Sequence, residues 1–373
     1  MNERISTLIT LKQPTDTGTS GLARMPLQEL LEIKQRFDFF FCCASFESRS
    51  VAIPLHIDAD SIGQAFIFHN PVLNHFNGEH LSQIAGAFDK NGRVVAINPD
   101  TPFETERIVY DIIQSKASNS VAQARSYLID ITTFTRETLL IVLNAARREM
   151  REGDSVTLVY NPADEYFEDR GLSSDGNDQE GFEESSVEGD SAVRWFTRGV
   201  REIRSVIGFP GEILPSRPLH LIVLTGYEYA RADLLIEQFE PRYLSLGCST
   251  EEGSFRPSFY RQHREFKDKI SALYGGVKEF DFWPNDPLRT FKVLERLLPA
   301  YPECNVVVSP INTKISCLGA ALLSWHHPEV QICYAQGDLY NYDNYSTPAG
   351  HAYFYDISDY ILLSKADGAS QIQ

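Results

Sequence analysis

Short, nearly continuous apolar runs recur along the chain: FDFFFCCASF, QAFIFHN, RVVAINP, RSYLIDI and SVTLVYN in the first half, then PLHLIVLTGY, RYLSLGC, KEFDFWP, NVVVSP and VQICYA in the second. Runs of this length without polar alternation read as strands buried on both faces, the habit of a parallel sheet. Segments of helical periodicity separate them, including GEHLSQIAGAF, FETERIVYDIIQSKA, TRETLLIVLNAARREM, RADLLIEQF, YRQHREFKDKISALY and PLRTFKVLERLLPAY. Strand alternating with helix predicts a layered α/β fold: two tandem Rossmann-like domains with mainly parallel sheets, related by an internal duplication.

Three landmarks support the duplication. The first strand of each half exits through an aromatic, a glutamate and an arginine: Phe46, Glu47 and Arg49, against Tyr227, Glu228 and Arg231. A later strand of each half runs into a Thr–cation pair that opens a helix, Thr135–Arg136 and Thr313–Lys314. The last strands carry Tyr160, Asp164 and Tyr166, against Tyr334, Asp338 and Tyr340. The first two landmarks lie 89 residues apart in one half (46 to 135) and 86 in the other (227 to 313), so order and spacing agree. The expected division is an N-terminal extension over 1–35 containing a short helix, a first domain over 36–163, a mobile acidic loop over 164–190, a linker helix over 191–214 and a second domain over 215–373. The acidic segment holds eleven carboxylates and one arginine, too little apolar content to pack.

At 373 residues the chain is long enough for two or three domains. Its net charge of −17 argues against broad binding to nucleic acid or an anionic membrane, because a phosphate-tracking surface needs surplus Lys and Arg; a local basic pocket is still allowed. No apolar run approaches the roughly 20 residues needed to cross a bilayer. The start lacks the pattern of a signal peptide. The six cysteines form no CxxC pair and read as buried thiols in a reducing compartment, so a cytoplasmic location is expected. The chain carries no GxGxxG, no GxxxxGK[ST], no GxSxG and no metal-ligand spacing, so neither cofactor nor metal is expected.

Candidate chemistry therefore gathers at strand exits, where open α/β sheets bind ligands and where free amides at a helix N-terminus favour an anion. Ser309, Asn312, Thr313 and Lys314 lie at one exit, and Ser45, Glu47 and Arg49 at another. Asp130, Thr133, Thr135 and Arg136 lie at a third, with Thr225, Glu228 and Arg231 at a fourth and Asp338 on the last strand. Each has a structural alternative. Ser309, Asn312 or Thr313 can cap the helix, Glu47 can pair with Arg49, and Glu228 with Arg231. The tyrosines near 160 and 334–342 can stack on a base or be ordinary surface residues.

The stretches LTGYEYAR and VVVSPINTKISCLGAALL resemble the CRISPR-associated Rossmann fold (CARF) sensors. Asn312, Thr313 and Lys314 match that family's Asn-Thr-Lys loop, here without its usual glycines. A tandem pair in one chain is similar to the SAVED domains of anti-phage effectors. The resemblance implies a sensor or regulatory subunit that binds a phosphorylated nucleotide-like ligand, such as a cyclic oligonucleotide, between the halves and acts through a partner effector protein. A nucleotide-processing enzyme, either a phosphodiesterase or an N-glycosidase, and a non-catalytic scaffold subunit are the alternatives.

Overall fold

The computed structural model describes residues 23–119, 124–166, 197–340, 342, 346–362 and 364. The first half runs β1 (Ala23–Pro26), β2 (Phe37–Ala44), β3 (Ile62–His69), α1 (Asn74–Ala87), β4 (Gly92–Ala96), α2 (Pro102–Asn119), β5 (Ser126–Asp130), α3 (Arg136–Glu149), β6 (Ser155–Tyr160) and β7 (Ala163–Tyr166). The second continues β8 (Thr197–Ser205), β9 (Leu219–Leu224), α4 (Tyr229–Phe239), β10 (Tyr243–Ser249), α5 (Pro257–Leu273), β11 (Lys278–Phe282), α6 (Pro287–Leu297), β12 (Asn305–Pro310), α7 (Lys314–His326), β13 (Gln331–Tyr340), β14 (Ser346–Pro348) and β15 (His351–Asp356).

The apolar runs become two sheets, of order β1-β15-β6-β5-β2-β3-β4 and β11-β10-β9-β12-β13-β8. In each sheet the five consecutive strands of one half are parallel. Read from the third strand of each half, both follow the order 3-2-1-4-5, and each gains an antiparallel strand beside the fifth. The winding reverses between β2 and β5, and again between β9 and β12. These are the places where crevices open beyond the strand ends.

Between the sheets lies one shared core. Helix α3 contributes Leu139 to Ala146 and α7 contributes Ile315 to Trp325, flanked by α2 and α6. Helix α7 is buried on nearly every face, which is why its sequence is apolar all round rather than along one stripe. Smaller cores cover the outer faces, one under α1 and one under α4 and α5.

Three expected features differ. The linker helix is replaced by strand β8 over Thr197–Ser205. Val200 and Ile203 are three apart, as on a helix, yet both pack on the same core. A β-bulge explains this: Glu202 pairs with Gln336 and Val200 with Gly337, leaving Arg201 as the extra residue that resets the alternation. Next, the expected helix near 25–37 is β1 followed by one short 3-10 segment, Leu27–Glu32. Finally, the C-terminal part of the second half returns to the first sheet, where β15 pairs with both β6 and β1. The acidic segment lies outside the described residues beyond Tyr166, while Asp164 forms an ion pair with Arg256.

Candidate functional site

The four strand exits converge. Gly226, just past β9, is packed so closely on the end of β12 that an added Cβ would lie 2.8 Å from the Ile311 carbonyl oxygen. That approach carries Tyr227 and Glu228 onto Asn312–Lys314. From the other half, Arg136 reaches across and donates Nε to the Asn312 carbonyl at 2.9 Å. Its Nη2 donates to the Ile311 and Asn312 carbonyls at 3.0 and 2.7 Å, and its Nη1 to Glu228 Oε2 at 3.0 Å. These carbonyls lie where β12 gives way to helix α7, and one fork of donors serves them and a carboxylate together.

Both Thr–cation pairs are helix starts. Thr135 caps α3 by accepting from the Thr138 amide at 3.1 Å, and Thr313 caps α7 by accepting from the Ser316 amide at 3.1 Å. The capping alternative therefore holds for the threonines, and each cation is the first helical residue. Thr135→Ala is expected to lower unfolding free energy by about 1 kcal/mol, the usual worth of such a cap, with Thr135→Ser near neutral. Urea denaturation of the two variants checks this.

Ion pairing occupies most of the charges. Glu47 Oε2 accepts from Arg49 at 2.5 Å and from Ser346 Oγ at 2.8 Å. Arg49 also donates to the Asn161 carbonyl at 3.2 Å. Glu228 sits between Arg136 and Arg231, with Thr197 Oγ1 donating to it at 2.8 Å. Burial alone raises its pKa, but Arg231 and Arg136 outweigh that and hold it below the usual glutamate range. At the rim Arg201 pairs with Asp100 at 2.8 Å and with Asp338 at 3.4 Å.

Lys314 is different. Its ammonium makes no hydrogen bond or ion pair with any described residue. Burial and the neighbouring Arg136 push its pKa from 10.5 down to about 8. A lysine at the first turn of a helix also faces the positive end of the helix dipole.

Two cavities meet here and share Glu47, Arg136, Glu228 and Lys314. The larger, of about 240 Å³, is lined by Ser45, Thr133, Thr135, Arg231 and Asp338, with an aromatic wall that includes Phe46, Tyr340 and Tyr342. The smaller, of about 70 Å³, is lined by Arg49, Asn312 and Thr313, with Tyr160, Tyr227, Phe255, Phe259 and His263 around them.

Three expected ligand residues line neither cavity. Thr225 Oγ1 donates to the Gly247 carbonyl at 2.6 Å and ties β9 to β10. Ser309 is fully buried within β12. Asp130 is buried at the end of β5, where its Oδ1 accepts from the Thr132 amide at 3.0 Å; burial raises its pKa to about 7. Thr225 and Asp130 serve the strand ends, and Ser309 is enclosed within its strand.

Sequence reasoning missed Phe255, Phe259 and His263. Phe259 and His263 are four apart on α5, and both are buried, so one inward-facing helical stripe was the available signal. His263 Nδ1 shares a 2.6 Å hydrogen bond with Ser249 Oγ, and burial pushes its pKa down to about 3, so the ring is neutral.

No family model matches the chain, and no curated protein is similar enough to count as a relative. Among solved structures, the chain is similar to the S-adenosylmethionine-dependent methyltransferase SibL at 11% identity and a TM-score of 0.21, over 37% of this chain and 36% of that one. It is similar to spermidine synthase from Thermotoga maritima at 13% identity and a TM-score of 0.22, over 37% and 40% of the two chains. The chain thus matches well under half the length of either, and similarity at this level says nothing about its activity. Among the described residues no helix is long and apolar enough to cross a membrane, and no cluster of His, Cys, Asp and Glu is arranged to hold a metal ion.

Proposed function

We propose that this chain is a ligand-sensing subunit that binds a phosphorylated, nucleotide-like small molecule between its two Rossmann-like halves and reports occupancy to a protein partner. The observation that carries the proposal is the Lys314 ammonium, which makes no hydrogen bond or ion pair with any described residue, at the junction of two aromatic-walled cavities. A partly buried cation held by no close ion pair is costly, and an anionic guest reduces that cost. The amides at the start of α7 add to the same field. The resemblance to CARF and SAVED sensors supplies the proposed setting, anti-phage defence, and the proposed arrangement of ligand between halves.

Binding is favoured over chemistry because the carboxylates among the described lining residues, Glu47, Glu228, Asp100 and Asp338, are all held in ion pairs. A general acid or base needs a carboxyl free to exchange its proton near neutral pH. The test is a thermal-shift series with mononucleotides, dinucleotides and cyclic oligonucleotides on wild type and Lys314→Ala. A bound ligand must raise the melting temperature by mass action. The expected result is a rise with at least one nucleotide that Lys314→Ala abolishes while the unliganded variant stays folded. No rise with any nucleotide would overturn the proposal.

A further inference from the structure

The proposed anion site also constrains its ligand, by charge and by shape. Among the described residues, five cationic side chains line the two cavities against four carboxylates, a surplus of one positive charge. The four arginines are ion-paired, so the surplus sits on Lys314. A guest with one negative charge at that point balances the site, whereas each further charge faces Glu47 and Glu228 in a poorly screened space.

The two cavities extend from the Lys314 junction and differ in size. The smaller cavity, of about 70 Å³, suits a compact group, and the larger, of about 240 Å³, has room for a bulkier one. Both have aromatic walls, with Tyr160 and Phe255 at a 5.6 Å centroid separation in the smaller and Phe46 and Tyr342 at 5.1 Å in the larger.

Each cavity is also lined by a buried residue with an unsatisfied polar atom. In the smaller it is His263 Nε2, on a residue 3% exposed. In the larger it is Asn77 Oδ1, on a residue 1% exposed, whose amide nitrogen donates to the Asn70 carbonyl at 3.4 Å. Gln336 Oε1 is a second such oxygen there, its amide nitrogen donating to Asp100 at 2.7 Å. The engaged nitrogens fix both amide orientations and leave the oxygens as acceptors. Orphaned buried polar atoms are uncommon unless something else satisfies them.

From these features we infer that the ligand is a phosphate diester joining two planar groups of unequal size, with the single phosphate on Lys314, the compact ring in the smaller cavity and the larger nucleoside in the other. This rests on the anion-site reading of Lys314 and narrows it, disfavouring triphosphates and rings of several phosphates.

The test compares a dinucleoside monophosphate of one pyrimidine and one purine with the two mononucleotides, ATP and inorganic phosphate, by calorimetric titration of the full chain. The diester is expected to bind at least tenfold more tightly than either mononucleotide, and ATP more weakly than the diester. Phe255→Ala, with Phe255→Leu as the variant of safer packing, is expected to reduce diester affinity to the mononucleotide level and leave the purine mononucleotide unchanged. Mononucleotides or ATP binding as tightly as the diester would overturn the two-armed reading and leave the anion site standing. No binding by any probe would overturn the diester assignment, and the absence of a thermal shift with cyclic oligonucleotides as well would overturn the anion site with it.

Discussion

Arg136→Ala is expected to destabilise the unliganded protein by about 2–4 kcal/mol. The side chain is largely buried and serves two roles. It satisfies the carbonyls of Ile311 and Asn312, and it shares Glu228 with Arg231. Truncation leaves the carbonyls with reduced hydrogen bonding and Glu228 with one cation instead of two. Because Glu228 keeps Arg231 and Thr197, the loss falls short of what a wholly unpaired buried charge costs. Arg136→Lys retains the charge but not the planar fork, so it is expected to recover less than half of the deficit. Equilibrium urea unfolding at pH 7 measures both, as a lower midpoint at unchanged slope. A loss below about 0.5 kcal/mol, the size of a typical surface substitution, would show that the contact between the halves rests on the shared core alone.

That core explains what the sequence did and did not disclose. The strands were legible because a strand buried on both faces must be apolar throughout, and Val306–Val308 and Phe39–Cys43 obey that rule whatever the topology. The strand exits were legible for the same reason, since polar residues that end such a run must face the crevice or cap the next helix. Thr135 and Thr313 cap, while Arg136 and Lys314 face inward. What stayed hidden depends on pairing between distant segments. Val200 and Ile203 carry a helix-like spacing that only the bulge opposite Gln336 and Gly337 turns into a strand. The return of His351–Asp356 to the first sheet is a matter of topology, and nothing in HAYFYD distinguishes one sheet edge from another. Phe255 and His263 became cavity walls only because the second sheet's exit loops close over them. Thr225 and Ser309 show the converse: both fit the pattern of ligand-binding hydroxyls, and both are enclosed within the fold.

Lys314→Met is expected to stabilise the unliganded protein by about 1–3 kcal/mol at pH 7 while abolishing ligand binding. In the folded state the lysine pKa is about 8, below its ordinary 10.5, so folding disfavours the charged form. Below pH 8 the lysine is protonated in both states and the full penalty is present. Between pH 8 and 10.5 the unfolded chain binds more protons than the folded one, so wild-type stability rises with pH across that window. Above it both forms are neutral and the penalty is gone. The advantage of Lys314→Met should therefore be largest at pH 7 and shrink from pH 8 upward. An anionic ligand reverses the sign by stabilising the ammonium and raising its pKa. Binding near pH 8 should then take up a proton, and affinity should fall as pH rises through the window. Denaturation of wild type and Lys314→Met at pH 7, 8.5 and 10 measures the first effect, and calorimetric titration in two buffers of different ionisation enthalpy measures the second. A variant less stable than wild type at pH 7 would mean that Lys314 serves the fold. A binding proton that rides on this lysine would then be ruled out, because a cation already stabilised by the protein has no penalty for the ligand to relieve.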